Sequence, residues 1–61
     1  MTLKKHILIV DDDPDARFIL RRILEGEYVV SLAKDEKRTF DVLAGSSVHL
    51  ILLDLTLGSM N

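Results

Sequence analysis

Two runs of four consecutive apolar residues, Ile7-Leu8-Ile9-Val10 and Leu50-Ile51-Leu52-Leu53, each stop abruptly at aspartate. A short run with no polar alternation, closed by a turn-forming residue, reads as a strand buried on both faces. Strands of that kind belong to parallel sheets covered by helices above and below. Four residues are far fewer than the roughly 20 that cross a bilayer, so neither run is a membrane span.

The segments between the runs supply the helices that such a sheet needs. Asp13 precedes Pro14 and Asp15, the order expected for an N-cap, a first helical position and an acidic first turn. Ala16, Ile19, Leu20, Ile23 and Leu24 then follow the spacing of one apolar stripe, with Arg17, Arg21 and Arg22 outside it, and Gly26 is the expected C-cap. A second strand is expected over roughly Tyr28 to Leu32, where Ser31 interrupts the apolar run and marks an edge. Lys34 or Asp35 begins a second helix whose short apolar face is Phe40, Leu43 and Ala44, and Gly45-Ser46-Ser47 ends it. The order is βαβαβ, which with right-handed crossovers makes an α/β doubly wound unit of parallel strand order 2-1-3. In that order the wholly apolar third strand lies at an edge, an open template for pairing with another chain.

Size sharpens the point. A domain of 61 residues buries only about 60% of the surface its unfolded chain exposes and is marginal unless stapled. With no cysteine there is no disulfide, and two separate histidines, His6 and His49, do not make a structural zinc site; both read as strand-start residues without chemistry. A net charge of −2, with basic residues scattered and no interleaved aromatics, speaks against nucleic-acid binding. No export signal is evident, since Asp11-Asp12-Asp13 interrupts the only apolar stretch near the amino terminus, so a cytoplasmic, non-membrane setting is expected.

The chemistry is expected where the strands end. If the first and third strands are parallel neighbours, Asp11, Asp12 and Asp54 meet at the carboxyl edge of the sheet, where open α/β folds bind ligands. Taken singly, Asp13 is a helix cap, Asp11 and Asp12 are loop residues, and Asp54 could open a turn. Together the three carboxylates repel one another unless a hard cation such as Mg²⁺ sits among them. An aspartate beside Mg²⁺ can take a phosphoryl group as an acyl phosphate.

These residues resemble the amino-terminal half of a response-regulator receiver domain of two-component signalling. Ile7-Leu8-Ile9-Val10-Asp11-Asp12-Asp13-Pro14 resembles that family's first strand and acidic pair. Leu50-Ile51-Leu52-Leu53-Asp54-Leu55-Thr56-Leu57 resembles its third strand and phosphoacceptor. The resemblance covers essentially the whole chain and implies a flavodoxin-like fold. It implies Asp54 as acceptor of a phosphoryl group from a histidine kinase or phosphotransfer protein. It further implies Mg²⁺ held by Asp12, by Asp11 mostly through water, by Asp54, and by the backbone carbonyl of Thr56. The chain departs from the family pattern at Gly58, where proline is usual, and at His49 and Glu36.

The expectation is therefore a single truncated receiver-like domain over residues 1–61, not an enzyme, without the fourth and fifth strands of the family. The alternative is a phosphorylation-inactive half-receiver that serves as a structural or dimerisation module. In either case a homodimer through the third strand is expected, because two copies paired there obey a dyad. A small phosphatase or metal-dependent hydrolase lacks a general base or a second ligand set here.

Overall fold

Alternating strands and helices follow the apolar pattern closely in the computed structural model, which describes residues 4–53. Strand β1 (His6–Val10) leads into helix α1 (Pro14–Leu24), then β2 (Val29–Ala33), α2 (Glu36–Gly45) and β3 (Leu50–Leu53). The three strands form one parallel sheet in the order β2-β1-β3. His6 pairs with Val29 and Val10 with Ala33 on one side; Ile7 pairs with Leu50 and Val10 with Leu53 on the other. The most buried strand thus has a neighbour on each side, and Leu8 and Ile9 are its two fully buried large side chains. On one face Leu8, Val10 and Ala33 make a core against Val42 and Val48.

The helix starts are set by side-chain caps. Asp13 accepts from the Asp15 N–H at 3.0 Å, with Pro14 at the first position, and Asp35 accepts from the Arg38 N–H at 2.9 Å. Each bond satisfies an amide that the first helical turn otherwise leaves unpaired. The first helix ends differently from expectation. Its C-cap is Glu25 in right-handed conformation, the Glu25 N–H bonds to the Arg21 carbonyl, and Gly26 has no positive φ. Gly26 therefore has no need of glycine's freedom, and a Cβ added there meets nothing within 4 Å. Gly26→Ala should raise stability by about 0.4–1 kcal/mol by restricting the unfolded chain, read as a higher urea midpoint at unchanged slope.

Both helices bury a narrower face than the sequence pattern indicates. Along α1, Ala16, Leu20 and Leu24 are half-buried, whereas Ile19 and Ile23 are 57% and 69% exposed. On α2, Val42 reaches the core, while Phe40 and Leu43, expected on the inner face, are exposed. The cause is the width of the sheet: among the described residues α1 and α2 each pack mainly on β1 and β2 and cover little of β3. Leu50, Ile51 and Leu53 are accordingly 52%, 42% and 59% exposed, despite sitting in a strand expected to be buried on both faces. The exposed Phe18 ring is flanked by its own helix's cations, with the guanidinium carbons of Arg21 and Arg22 at 5.6 and 5.7 Å from its centroid.

At the amino edge a polar network ties all three strands together. The His6 N–H donates to His49 Nδ1 at 2.9 Å, and the His49 N–H returns a bond to the His6 carbonyl at 2.8 Å. The His6 ring lies 3.0 Å from the Ser47 carbonyl through Nδ1 and 2.6 Å from the Ser31 hydroxyl through Nε2. A carbonyl only accepts, so Nδ1 carries the proton and, in the neutral ring, Nε2 accepts from Ser31. His6 starts β1 as expected, whereas His49 immediately precedes β3, and the two clamp the strands to one another, which sequence spacing did not indicate.

Candidate functional site

The register puts Val10 beside Leu53, so the residues immediately before Asp11 and Asp54 lie side by side at the carboxyl edge of the sheet. Asp54 and Thr56 themselves lie outside the described residues. Asp11 continues β1 by one further ladder bond, its N–H donating to the Ala33 carbonyl at 3.0 Å, and is only 5% exposed. A buried carboxylate needs partners. Oδ1 has one in the Asp13 N–H at 2.9 Å, an Asx-type turn that folds the acidic loop back on itself. Oδ2 receives no hydrogen bond among the described residues. The neighbouring Asp12 is exposed.

Arg17 completes the arrangement. Its Nη1 donates to the Asp11 carbonyl at 2.7 Å, so a cation from the second turn of α1 fixes the backbone of the buried carboxylate. By periodicity Arg17 is a solvated residue outside the apolar stripe. Nothing in the spacing reveals that a long side chain six positions on folds back to cap the strand end.

The cations near this edge, Arg17 among them, stand on the β2 side. Arg17, Lys34 and Arg38 line, with Leu32, Asp41 and Val42, an open cleft of about 430 Å³. Charged side chains along an outer strand discourage edge-to-edge pairing, and β2 has three of them beside it. On the other side, Ile9, Val10, Asp11, Leu20, Leu52 and Leu53 line a cleft of about 280 Å³. Its lining is apolar except for Asp11, so the two edges of the sheet differ sharply in character.

Among the described residues no group of three His, Asp or Glu side chains comes together to hold a metal. The donors that are present still fit a hard cation: one buried carboxylate with an unbonded oxygen, one exposed carboxylate beside it, and no sulfur or imidazole. No helix among the described residues is long and apolar enough to cross a membrane.

Comparison with known proteins agrees with this geometry. Residues 7–61 match the family model described as the response regulator receiver domain. A curated relative from Leptolyngbya boryana, described as an uncharacterized 14.6 kDa protein in the sodA1 3′ region, is 38% identical over 56 residues. The match takes in 90% of this chain and 43% of that relative, so the chain spans less than half the relative's length. No solved structure matches. The family model covers both aspartate-terminated strands and both helices, in the parallel βαβαβ order that the sheet displays, and on that ground the chain belongs to the response regulator receiver domain family.

Proposed function

We propose that the chain is a phosphoacceptor unit of a two-component phosphorelay, with Asp54 as the acceptor and Asp11 and Asp12 as the carboxylates that hold Mg²⁺ beside it. The observation that supports this most directly is the pairing of Val10 with Leu53, together with the burial of Asp11 at that edge. A carboxylate oxygen of Asp54 attacks the phosphorus of a phosphohistidine on a histidine kinase or phosphotransfer protein. The phosphorus–nitrogen bond breaks, the imidazole leaves with the electron pair, and an acyl phosphate is formed. Mg²⁺, when bound, supplies charge neutralisation on the phosphoryl oxygens. Asp12 would hold the ion directly with its exposed carboxylate, Asp11 would hold it mostly through water, with its side chain fixed by the Asp13 amide and its backbone by Arg17, and Asp54 and the Thr56 carbonyl would supply further ligands. In this role the chain is the substrate of its kinase rather than an enzyme, and it works in the cytoplasm as a homodimer joined through β3.

A second reading is favoured by the exposure of Leu50, Ile51 and Leu53: a half-receiver that no longer accepts phosphate and serves to join chains. One experiment separates the two. The chain is incubated with Mg²⁺ and acetyl phosphate and its intact mass is measured. Addition of one phosphoryl group, lost in Asp54→Asn and on chelation of Mg²⁺, supports the phosphoacceptor. An unchanged mass in a chain with its normal melt favours the joining module.

A further inference from the structure

The two imidazoles at the amino edge of the sheet answer differently to an added proton. His6 Nδ1 faces the Ser47 carbonyl at 3.0 Å, and its Nε2 faces the Ser31 hydroxyl at 2.6 Å. A hydroxyl accepts as readily as it donates, so a proton added at Nε2 keeps both bonds, with the Ser31 bond turned round. His49 has no such latitude. Its Nδ1 accepts the His6 N–H at 2.9 Å, and a backbone N–H cannot become an acceptor. The bond therefore requires a neutral His49 ring whose proton is on Nε2. An imidazolium carries a proton on both nitrogens and would set N–H against N–H.

What that proton would disturb is the entry to β3. His49 stands just ahead of the β1–β3 ladder, whose first pair is Ile7 with Leu50, and the reciprocal bonds between His6 and His49 close its amino end. The His49 side chain is exposed, so solvent reaches the ring without unfolding. Among the described residues neither ring is in an ion pair, since the one ion pair joins Arg21 to Glu25. The ionisable groups at this end of the sheet are Lys4 and Lys5 ahead of β1, with Lys4 Nζ 3.5 Å from the Gly26 carbonyl, and Glu25, Glu27 and Tyr28 ahead of β2. The connection from α2 to β3 brings the uncharged Ser46 and Ser47, and α2 has no basic residue in its last turn. No carboxylate is thus paired with the His49 ring to hold a charge there.

We infer that His49 is an acid-sensitive latch: its neutral ring fastens the amino end of β3 to β1, and protonation of the ring releases that end. The folded chain needs the ring neutral and the unfolded chain does not, so the unfolded state binds more protons in acid and stability falls as pH falls. Asp54 follows the other end of β3, and nothing in the latch depends on phosphoryl transfer. Urea unfolding of the whole chain at one concentration tests it, from about pH 8 to about pH 5, where histidine alone among side chains ordinarily titrates. His49→Asn is the comparison, because the Asn Oδ1 stands in the place of Nδ1, accepts the same N–H and takes up no proton there. All other ionisable groups, His6 included, are common to both chains, so the difference between the two curves belongs to His49. Toward pH 5 the folding constant of the parent should drop relative to His49→Asn by about two- to tenfold, the span of one ordinary hydrogen bond. His49→Leu, which has no acceptor, should be less stable than both near pH 8 and show no drop relative to His49→Asn. In an NMR titration the His6 amide proton should move in step with the His49 ring. Parallel curves for the parent and His49→Asn overturn the inference, as does a His6 amide that ignores the ring's titration.

Discussion

Leu8→Ala should abolish the cooperative melt of this chain at room temperature and above. Leu8 is fully buried in the central strand and joins Val10, Ala33, Val42 and Val48 into one cluster. Deleting its side chain removes transfer energy and leaves a cavity, a cost of roughly 2–5 kcal/mol. At roughly 0.05–0.15 kcal/mol per residue, a domain this size has about 3–9 kcal/mol in total. The low end applies, since the buried apolar core is just Ile7, Leu8, Ile9, Val10 and Ala33 among the described residues. Ile23→Ala provides the control. With 69% of that residue exposed, the same kind of truncation should cost no more than about 0.5 kcal/mol in the isolated chain. Circular dichroism against urea measures both, and a Leu8→Ala variant within about 1 kcal/mol of the parent would show that stability comes from somewhere other than this cluster.

The second large effect is on assembly. Ile51→Lys combined with Leu53→Lys should weaken association through β3 by about tenfold or more. Edge pairing puts a neighbour beside these side chains but no layer over them, so each apolar cross-strand pair contributes roughly 0.2–1 kcal/mol, and each 1.4 kcal/mol is a factor of ten. Pairing two copies also brings four added lysines together along one seam, where like charges oppose each other. Val29 on β2 is the matched control: it is 49% exposed on the opposite edge strand. Val29→Lys should leave the association constant unchanged. Sedimentation equilibrium over a concentration series distinguishes the cases, and equal weakening by the two sets of substitutions would mean that β3 is not the seam.

The parts of the fold that were legible in the sequence are those set by local chemistry. Asp13-Pro14 and Asp35 cap their helices as their side chains dictate, and the two unbroken apolar runs are strands in the expected 2-1-3 order. Periodicity groups the residues that share a helix face without saying whether a surface exists to receive them. Ile19 and Ile23 belong to the same stripe as Leu20, yet the sheet is too narrow to cover them. On α2 the discrepancy is angular: Val42 points at Leu8 and Val10, and Phe40, two residues earlier, lies roughly 200° around the helix from it. The second strand begins at Val29 rather than Tyr28 because the Tyr28 N–H is taken by the Leu24 carbonyl in the turn after α1. At the site, Asp11 and Asp12 stand where the strand-end argument puts them. The roles of Asp54 and Thr56 rest on the family relationship, and Arg17 became visible only once its reach to the Asp11 carbonyl was seen.

The reciprocal bonds between His6 and His49 also provide a clock for folding. At the start of β1 the His6 amide is hydrogen-bonded by an imidazole that arrives with β3, not by a backbone carbonyl of β2. The bond from the Val29 amide to the Lys5 carbonyl, by contrast, needs only β1 and β2. Exchange of these two amides with deuterated solvent therefore dates two separate events, closure of the first βαβ unit and docking of the last strand. If the first unit closes before β3 docks, the Val29 amide gains protection first and the His6 amide later. The interval between them is the time during which β1, rather than β3, is an open edge of the sheet.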